Sequence, residues 1–219
     1  MDDTLRAYHR AQDELDMVLA KVGADQWDSP SMCADWTVRD IAGHATWAQR
    51  QMCAWATGDE FTDRTGAPGS PHPGVLVGDD PVRAFRTARS ACDAALTDDG
   101  LTRTTVLPGM GEIPVAAILP LLLTDSIAHA WDIAHPLGIE IQLPPDLLTR
   151  ATAWARANVV RAPGFFAPEL PAPPNADDQT RLMAYLGRDT ARRGLSIADH
   201  QPPFTRSESG TPASRVRRV

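Results

Sequence analysis

The stretch Ile118-Leu119-Pro120-Leu121-Leu122-Leu123-Thr124-Asp125-Ser126-Ile127-Ala128-His129-Ala130-Trp131-Asp132-Ile133 decides how this chain folds. Its apolar residues recur at helical spacing, and at about 100° per residue Asp125 and His129 project toward the same side as those apolar residues. A buried carboxylate without a partner is strongly unfavourable. Asp125 in this position therefore indicates a cation or a strong hydrogen-bonding partner.

The spacing of Asp125 and His129 suits two interpretations. Residues four apart stack on one helix face about 6 Å from each other. Carboxylate and imidazole groups are both common zinc ligands, so the pair predicts part of a metal site. A buried hydrogen bond between the two side chains would also satisfy both, and the pair alone does not separate these alternatives.

Length, charge and composition limit what the protein can be. The chain has 219 residues, a net charge of −7 and 43% hydrophobic residues. This predicts one domain over residues 1–199, followed by a Pro-, Ser-, Gly- and Arg-rich tail, 200–219, that we expect to be disordered. The negative charge argues against nucleic-acid binding, and no apolar run reaches the roughly 18 residues of a membrane span. The acidic N-terminus shows no secretory signal, so we predict a cytoplasmic protein, a monomer or homodimer.

Helical periodicity extends over most of the chain and predicts an all-α bundle. Residues 59–80 are rich in glycine and proline and predict a long loop of the kind that often serves a function. A short hairpin is expected where two short segments flank Pro108-Gly109. The predicted helices are Thr4–Val22, Thr37–Gly58, Pro81–Leu96, Pro114–Leu137 with a kink at Pro120, Asp146–Val160 and Thr180–Leu186, and the predicted hairpin strands are Thr104–Leu107 and Gly111–Pro114.

A third candidate ligand, His44, lies close to the apolar seam of the second predicted helix. Bundles build metal sites from inward side chains on facing helices, so His44 is placed to join Asp125 and His129. Three protein ligands leave one position open, which is typical of catalytic rather than structural zinc. Taken alone, His44 would more often be a packed or surface histidine.

Three segments carry a family resemblance. Cys33-Ala34-Asp35-Trp36-Thr37-Val38-Arg39-Asp40-Ile41-Ala42-Gly43-His44 resembles the C-x-x-W-x-V-R-D-L-x-x-H motif of the mycothiol-dependent maleylpyruvate isomerase family, a branch of the DinB-like superfamily. Thr124-Asp125-Ser126-Ile127-Ala128-His129-Ala130-Trp131-Asp132-Ile133-Ala134 is similar to that family's [E/D]-x-x-x-H-x-W-D-L-A segment. Asp177-Asp178-Gln179-Thr180-Arg181-Leu182-Met183-Ala184-Tyr185-Leu186-Gly187-Arg188 resembles its closing D-R-L-L-A-x-L-G-R.

The resemblance covers about residues 5–190. It implies a DinB-like four-helix bundle with a short hairpin and loop insertion and a small irregular C-terminal extension. It also implies one divalent metal, commonly zinc with nickel or iron as alternatives, bound through the positions matching His44, Asp125 and His129. The family often has Glu where Asp125 stands, and the resemblance does not extend to the larger C-terminal domain of the maleylpyruvate isomerases.

Other polar residues have competing interpretations. Arg188 is a candidate anchor for an anionic substrate or thiol, or else a surface arginine. Asp40 and Asp132 each lie one turn from a candidate histidine ligand and can orient it, although solvated or capping roles are equally compatible with their positions. Cys33 belongs to the resembling motif, and we expect it to be a small buried side chain rather than a nucleophile.

These observations leave three functions open. In the first, the metal activates a small thiol such as mycothiol for an isomerase or transferase reaction on a small-molecule substrate. In the second, the metal acts without a thiol as a Lewis acid in a lyase, hydrolase or cyclase of specialised metabolism. In the third, the protein binds a metal or small molecule without catalysis.

Overall fold

The computed structural model describes residues 3–107, 111–162 and 165–191. This part of the chain is mainly α-helical, which confirms the predicted all-α class. Short 3-10 helices at Pro73–Leu76 and Val115–Ile118 precede the third and fifth α-helices. The α-helices are α1 (Asp3–Leu19), α2 (Val38–Thr57), α3 (Pro81–Ala95), α4 (Asp98–Thr102), α5 (Leu119–Leu137), α6 (Pro145–Asn158) and α7 (Asp178–Tyr185).

Four of these helices form the bundle. α1 packs along α5 and α2 packs along α3, while contacts of α1 with α3 and of α2 with α5 close it. Each of the four contributes large, fully buried side chains, such as Tyr8 of α1, Ile41 of α2, Phe85 of α3 and Ile127 of α5. Burial of one such side chain stabilises the fold by about 1.5–3 kcal/mol. This core fixes α2 and α5 side by side, and these two helices carry the candidate ligands.

The start of α2 is fixed by a capping box, as its sequence predicts. The Thr37 hydroxyl accepts a hydrogen bond from the Asp40 amide at 3.2 Å, and the Asp40 carboxylate accepts one from the Thr37 amide at 2.9 Å. Gly58 ends the helix. Because the first turn is locked in this way, His44 stands about two turns into α2, on its buried side.

The two largest differences between observed and predicted helix limits are at the end of the first helix and at the start of the fourth predicted helix. The first helix stops at Leu19 rather than Val22, because the amides of Lys21 and Val22 bond to carbonyls three residues back. The predicted fourth helix begins as a 3-10 helix, and α5 proper starts at Leu119. Pro120 therefore lies in the first turn, where its missing N–H is tolerated, and the expected kink was wrong. The short helix α4 was not predicted.

The predicted hairpin is present. β1 (Thr104–Leu107) and β2 (Gly111–Pro114) pair antiparallel, with Thr104 opposite Pro114 and Leu107 opposite Gly111. The predicted turn at Pro108-Gly109 lies outside the described residues, as does the predicted disordered tail.

A buried polar chain links three bundle helices. The Tyr8 hydroxyl donates to Gln49 Oε1 at 2.9 Å, Gln49 Nε2 donates to Gln12 Oε1 at 2.8 Å, and Gln12 Nε2 donates to Ser126 Oγ at 2.6 Å. All four side chains are buried, so each lost bond would leave an unsatisfied polar group. This series of hydrogen bonds therefore favours one register of α1, α2 and α5 directly beside Asp125.

The segment Val115–Leu137 is long and apolar enough to cross a membrane by length and composition. However, 72% of its most apolar window is buried inside the protein. This burial is what a core helix shows, and it favours a core helix over a membrane span.

Residues 59–80 form a loop that packs on the outer side of α2. The indole N–H groups of Trp47 and Trp36 donate to the carbonyls of Asp63 and Ser70 at 2.7 and 2.8 Å. The Gly74 amide donates to Asp40 Oδ1 at 2.9 Å. The Gly78 carbonyl accepts from Arg39 Nη1 at 2.8 Å. Five backbone groups of the loop, counting the Gly66 carbonyl discussed below, thus bind side chains of Trp36 and of the first half of α2.

We predict that Gly43→Ala destabilises the protein, although Gly to Ala in a helix usually stabilises by about 1 kcal/mol. A Cβ atom at Gly43 would lie 2.0 Å from the Pro73 carbonyl oxygen, so the loop would have to move off α2. Overpacking of this kind costs about 1–3 kcal/mol, or a melting temperature lower by roughly 2–10 °C in a domain of this size. Thermal unfolding measures the change, with Ser90→Ala at an exposed position of α3 as the control. A melting temperature at or above that of the wild type would contradict the prediction.

Candidate metal centre

The fold brings the three predicted ligands together. His44 projects from α2, and Asp125 and His129 project from α5, so that one ligand atom of each lies within 4.8 Å of the others. His44 Nε2 is 3.5 Å from Asp125 Oδ2, and His129 Nε2 is 3.3 Å from Asp125 Oδ1. The two imidazole rings meet edge to face, with centroids 5.2 Å apart.

The other ring nitrogen of each histidine is already engaged. His44 Nδ1 donates to the Gly66 carbonyl at 2.7 Å, and His129 Nδ1 donates to Asp132 Oδ2 at 3.0 Å. A carbonyl and a carboxylate can only accept, so both Nδ1 atoms carry the proton of the neutral ring. Both Nε2 atoms then present lone pairs toward the Asp125 carboxylate, an arrangement that requires a proton or a metal ion between them.

The spacing of the donor atoms is compatible with a bound metal ion. Tetrahedral zinc with bonds of about 2.0–2.2 Å holds neighbouring ligand atoms about 3.3–3.6 Å apart. The two imidazole nitrogens lie 3.3 and 3.5 Å from different oxygens of the Asp125 carboxylate, which is longer than the usual N–H to oxygen hydrogen bond of about 2.9 Å. The donor set of two imidazoles and one carboxylate, with the Nδ1 atoms bound by other groups, therefore fits a zinc-type ion.

The pKa values at this centre follow from charge. Burial by itself raises the pKa of Asp125 and lowers that of His129. Their mutual attraction outweighs burial, so the pKa of Asp125 lies well below its usual range and the pKa of His129 lies well above it. In the metal-free chain a proton on His129 thus supplies the positive charge, and a bound metal would displace that proton.

Asp132 lies behind His129 at the centre of a buried polar cluster. Its side chain is 0% exposed and accepts from His129 at 3.0 Å, from Arg188 Nε at 3.0 Å and from Arg188 Nη2 at 2.8 Å. Burial raises the pKa of Asp132, but Arg188 and His129 outweigh it and hold that pKa below its usual range. The geometry of the metal-free chain thus matches the orienting role considered for Asp132.

Asp40, the other candidate for orienting a ligand, does not contact His44. Its carboxylate caps α2 and accepts from the Gly74 amide, which is the capping alternative. The group that binds His44 Nδ1 is instead the carbonyl of Gly66. Sequence reasoning missed Gly66, because any residue type has a backbone carbonyl and only the path of the loop determines where this one lies.

Arg188 is not a surface residue. Its side chain is 10% exposed, and besides Asp132 it donates from Nη1 to the Leu186 carbonyl at 2.9 Å. Its guanidinium also lies 5.5 Å from the centre of the Phe166 ring. The surface alternative was therefore wrong, whereas the prediction that Arg188 anchors a substrate stays a prediction.

Cys33 joins the cluster behind His129. Its Sγ donates to Asp132 Oδ2 at 3.1 Å and lies 3.8 Å from His129 Nδ1. Burial and the charge of Asp132 raise the pKa of the Cys33 thiol, so it remains protonated at neutral pH. Cys33, His129 and Asp132 have the composition of a second metal-ligand group, but the Arg188 guanidinium already supplies the positive charge there.

Aromatic side chains surround the candidate ligands. The Trp36 ring lies 5.0 Å from that of His44 and 6.2 Å from that of His129. Trp47 stacks on His44 at 6.2 Å, and Phe61 of the loop packs on Trp47. Asp125 keeps 23% of its side chain exposed, against 7% for His44 and 6% for His129. The Asp125 side is therefore the more accessible side of the centre.

Comparison with protein families identifies the chain. The family described as "Mycothiol maleylpyruvate isomerase N-terminal domain" matches residues 8–134, more than half of the chain. The chain belongs to this family. The matched residues include His44, Asp125, His129, Cys33 and Asp132, whereas Arg188 lies beyond them. The resemblance seen in the sequence motifs is thereby confirmed.

Similar proteins occur in Mycobacterium tuberculosis. The uncharacterized proteins MT0763 of strain CDC 1551 and Rv0738 of strain H37Rv are each 35% identical to this family member over 191 residues. Each alignment covers 85% of this chain and 98% of the relative. The similarity therefore extends over nearly the whole of each relative.

Two crystal structures of the mycothiol-dependent maleylpyruvate isomerase, one of them a mutant with a histidine replaced by alanine, resemble the fold. Each has a TM-score of 0.50 and 17% identity, over 68% of this chain and 66% of the isomerase chain. The chain thus spans slightly less than two thirds of the isomerase's length, and at this identity the likeness concerns the fold alone.

We predict that the purified protein binds about one equivalent of zinc and that His44→Ala and His129→Ala each lose most of it. Each variant removes one of three donors, and the remaining two cannot hold the ion as tightly. Elemental analysis after dialysis against zinc measures the number of zinc ions bound per protein molecule. His9→Ala is the matched control, since His9 pairs with Asp93 and lies outside the candidate centre. Zinc content equal to the wild type in both ligand variants would contradict the site.

Proposed function

We propose that this protein is a metal-dependent enzyme of the mycothiol-dependent isomerase or transferase type. In this proposal His44, Asp125 and His129 hold one divalent metal, with zinc as the first candidate and nickel or iron as alternatives. The second reactant is a low-molecular-weight thiol, and the substrate is a small electrophilic molecule. The family match supports the reaction type, and the likeness to a mycothiol-dependent maleylpyruvate isomerase supports the fold that carries it.

The observation that carries the proposal is the orientation of the two imidazoles. Gly66 and Asp132 each accept the Nδ1 proton of one histidine, so both Nε2 atoms face the Asp125 carboxylate, at 3.3 and 3.5 Å. A structural Asp–His pair would need one histidine and one short hydrogen bond. Two histidines held in the metal-binding tautomer support a ligand set instead.

Different residues have different roles at this centre. When bound, a zinc-type ion lowers the pKa of a coordinated thiol and can polarise a carbonyl oxygen. Asp125 leaves its own side of the centre accessible, and Trp36 and Trp47 cover the side of His44. Cys33 stays protonated and hydrogen-bonded to Asp132, so the chain's own thiol does not compete with an incoming one.

Arg188 retains its predicted role as a substrate anchor only as a secondary part of this proposal. Its Nε, Nη1 and Nη2 atoms already donate to Asp132 and Leu186. Only the remaining N–H groups of the guanidinium are available to an anionic substrate. The accessible side of Asp125 is a better supported place for substrate and thiol.

We expect mycothiol to add a sulfur-to-metal charge-transfer band to the spectrum of the cobalt-substituted protein. A thiolate bound at the open position is a soft ligand that cobalt reports by absorption. Absorption titration at millimolar thiol measures it, with S-methylated mycothiol and the His129→Ala variant as controls that should give no band. No spectral change with mycothiol would overturn the thiol role and favour the Lewis-acid alternative.

Activity should require both metal and thiol. The zinc-loaded protein is incubated with maleylpyruvate and other small electrophiles, with and without mycothiol, and turnover is followed by chromatography. We expect Asp125→Asn to lose at least about 100-fold in rate, because removing a ligand typically removes most of the metal-dependent rate. Turnover without thiol would support a Lewis-acid enzyme, and zinc binding with no turnover of any substrate would support a non-catalytic binding protein.

A further inference from the structure

A buried series of charged groups runs from residues 178–188, here called the C-terminal segment, to the candidate metal centre. Arg188 donates to both carboxylate oxygens of Asp132, from Nε to Oδ1 at 3.0 Å and from Nη2 to Oδ2 at 2.8 Å. Asp132 Oδ2 in turn accepts from His129 Nδ1 at 3.0 Å. His129 Nε2 then faces Asp125. This series of contacts therefore connects Arg188 through Asp132 to a predicted metal ligand.

The position of Arg188 is set by residues beyond the family-matched domain. Its amide bonds to the Met183 carbonyl at the end of α7, and Gly187 before it has φ +86°, a conformation that favours glycine. Nearby, Arg161 donates to the carbonyls of Ala167 and Tyr185 and holds the same segment. The C-terminal segment thus places one guanidinium behind His129.

Arg188 pairs with both oxygens of a carboxylate whose side chain is 0% exposed. A fully buried carboxylate is costly when unpaired, so Asp132 depends on this partner to keep its place between Arg188 and His129. The two-point contact with Arg188 also fixes the plane of the carboxylate, and thereby the direction of the bond to His129.

We propose that Arg188 is a positioning residue for the metal centre, acting through Asp132 to hold His129 in the tautomer and orientation that bind the ion. The inference rests on the metal site of the proposed function and adds a component that the family-matched residues 8–134 do not contain. In this arrangement the C-terminal segment completes the site without touching the metal.

The test measures zinc affinity by competition with a chromophoric chelator. It compares the wild type with Asp132→Asn, Arg188→Met and the double variant. We expect each single variant to bind zinc about 10–100-fold more weakly, the usual effect of losing a group that orients a ligand. Because Arg188 acts through Asp132, the double variant should lose no more than Asp132→Asn alone. Multiplied losses in the double variant would overturn the inference.

Controls separate positioning from folding. Arg181→Met removes the same charge from the same segment, where Arg181 bonds only to the Ala176 carbonyl among the contacts described, and it should bind zinc like the wild type. Arg188→Lys should restore part of the affinity. If Arg188→Met leaves Asp132 unpaired and unfolds the chain, the double variant, which lacks that charge, should fold and still bind zinc weakly.

Spectra and affinity together distinguish the two proposals. The visible bands of the cobalt-substituted protein should shift in Asp132→Asn and Arg188→Met and stay unchanged in Arg181→Met, because the bands report ligand geometry. Folded Arg188→Met with wild-type zinc affinity and unchanged bands would overturn the positioning role while leaving the metal site standing. A wild type that binds no zinc would overturn both.

Discussion

The structure depends on how one carboxylate and two imidazoles share a small space inside the bundle. Asp125 meets the Nε2 atoms of His44 and His129 at 3.5 and 3.3 Å, and each imidazole has its other nitrogen bound elsewhere. Three electron-rich groups held this close require positive charge between them. A proton on His129 provides it in the metal-free chain, and a divalent ion of zinc type provides it in the proposed active form.

Three separate parts of the chain hold this arrangement. The packed faces of α2 and α5 bring the ligands together, and the buried Gln49–Gln12–Ser126 hydrogen bonds favour a single register beside them. The loop of residues 59–80 supplies the Gly66 carbonyl to His44. The segment after α7 supplies Arg188 to Asp132, and through it to His129. A part of the chain outside its own helix thus contacts His44 directly, whereas for His129 the outside group, Arg188, is reached through Asp132 of the same helix.

The comparisons and the geometry contribute different things to the functional conclusion. Membership in the mycothiol maleylpyruvate isomerase N-terminal domain family indicates the reaction type, whereas the relatives from Mycobacterium tuberculosis align with 85% of the chain. The geometry adds the ligand set and the groups that orient it. The substrate depends on the space outside Asp125, which neither the family nor the ligand set defines.

The sequence alone predicted the longer helices, the hairpin and the pairing of Asp125 with His129, because apolar periodicity, capping residues and the Asp-x-x-x-His spacing are local signals. His44 joined this pair only through the expected bundle and the family resemblance. It misjudged the role of Pro120 and the exposure of Arg188, and it missed the Gly66 carbonyl. Those features were decided by tertiary structure. A backbone carbonyl has no residue type to read, and whether an arginine is buried against a carboxylate 56 positions earlier in the chain depends on how the C-terminal segment folds back onto the bundle.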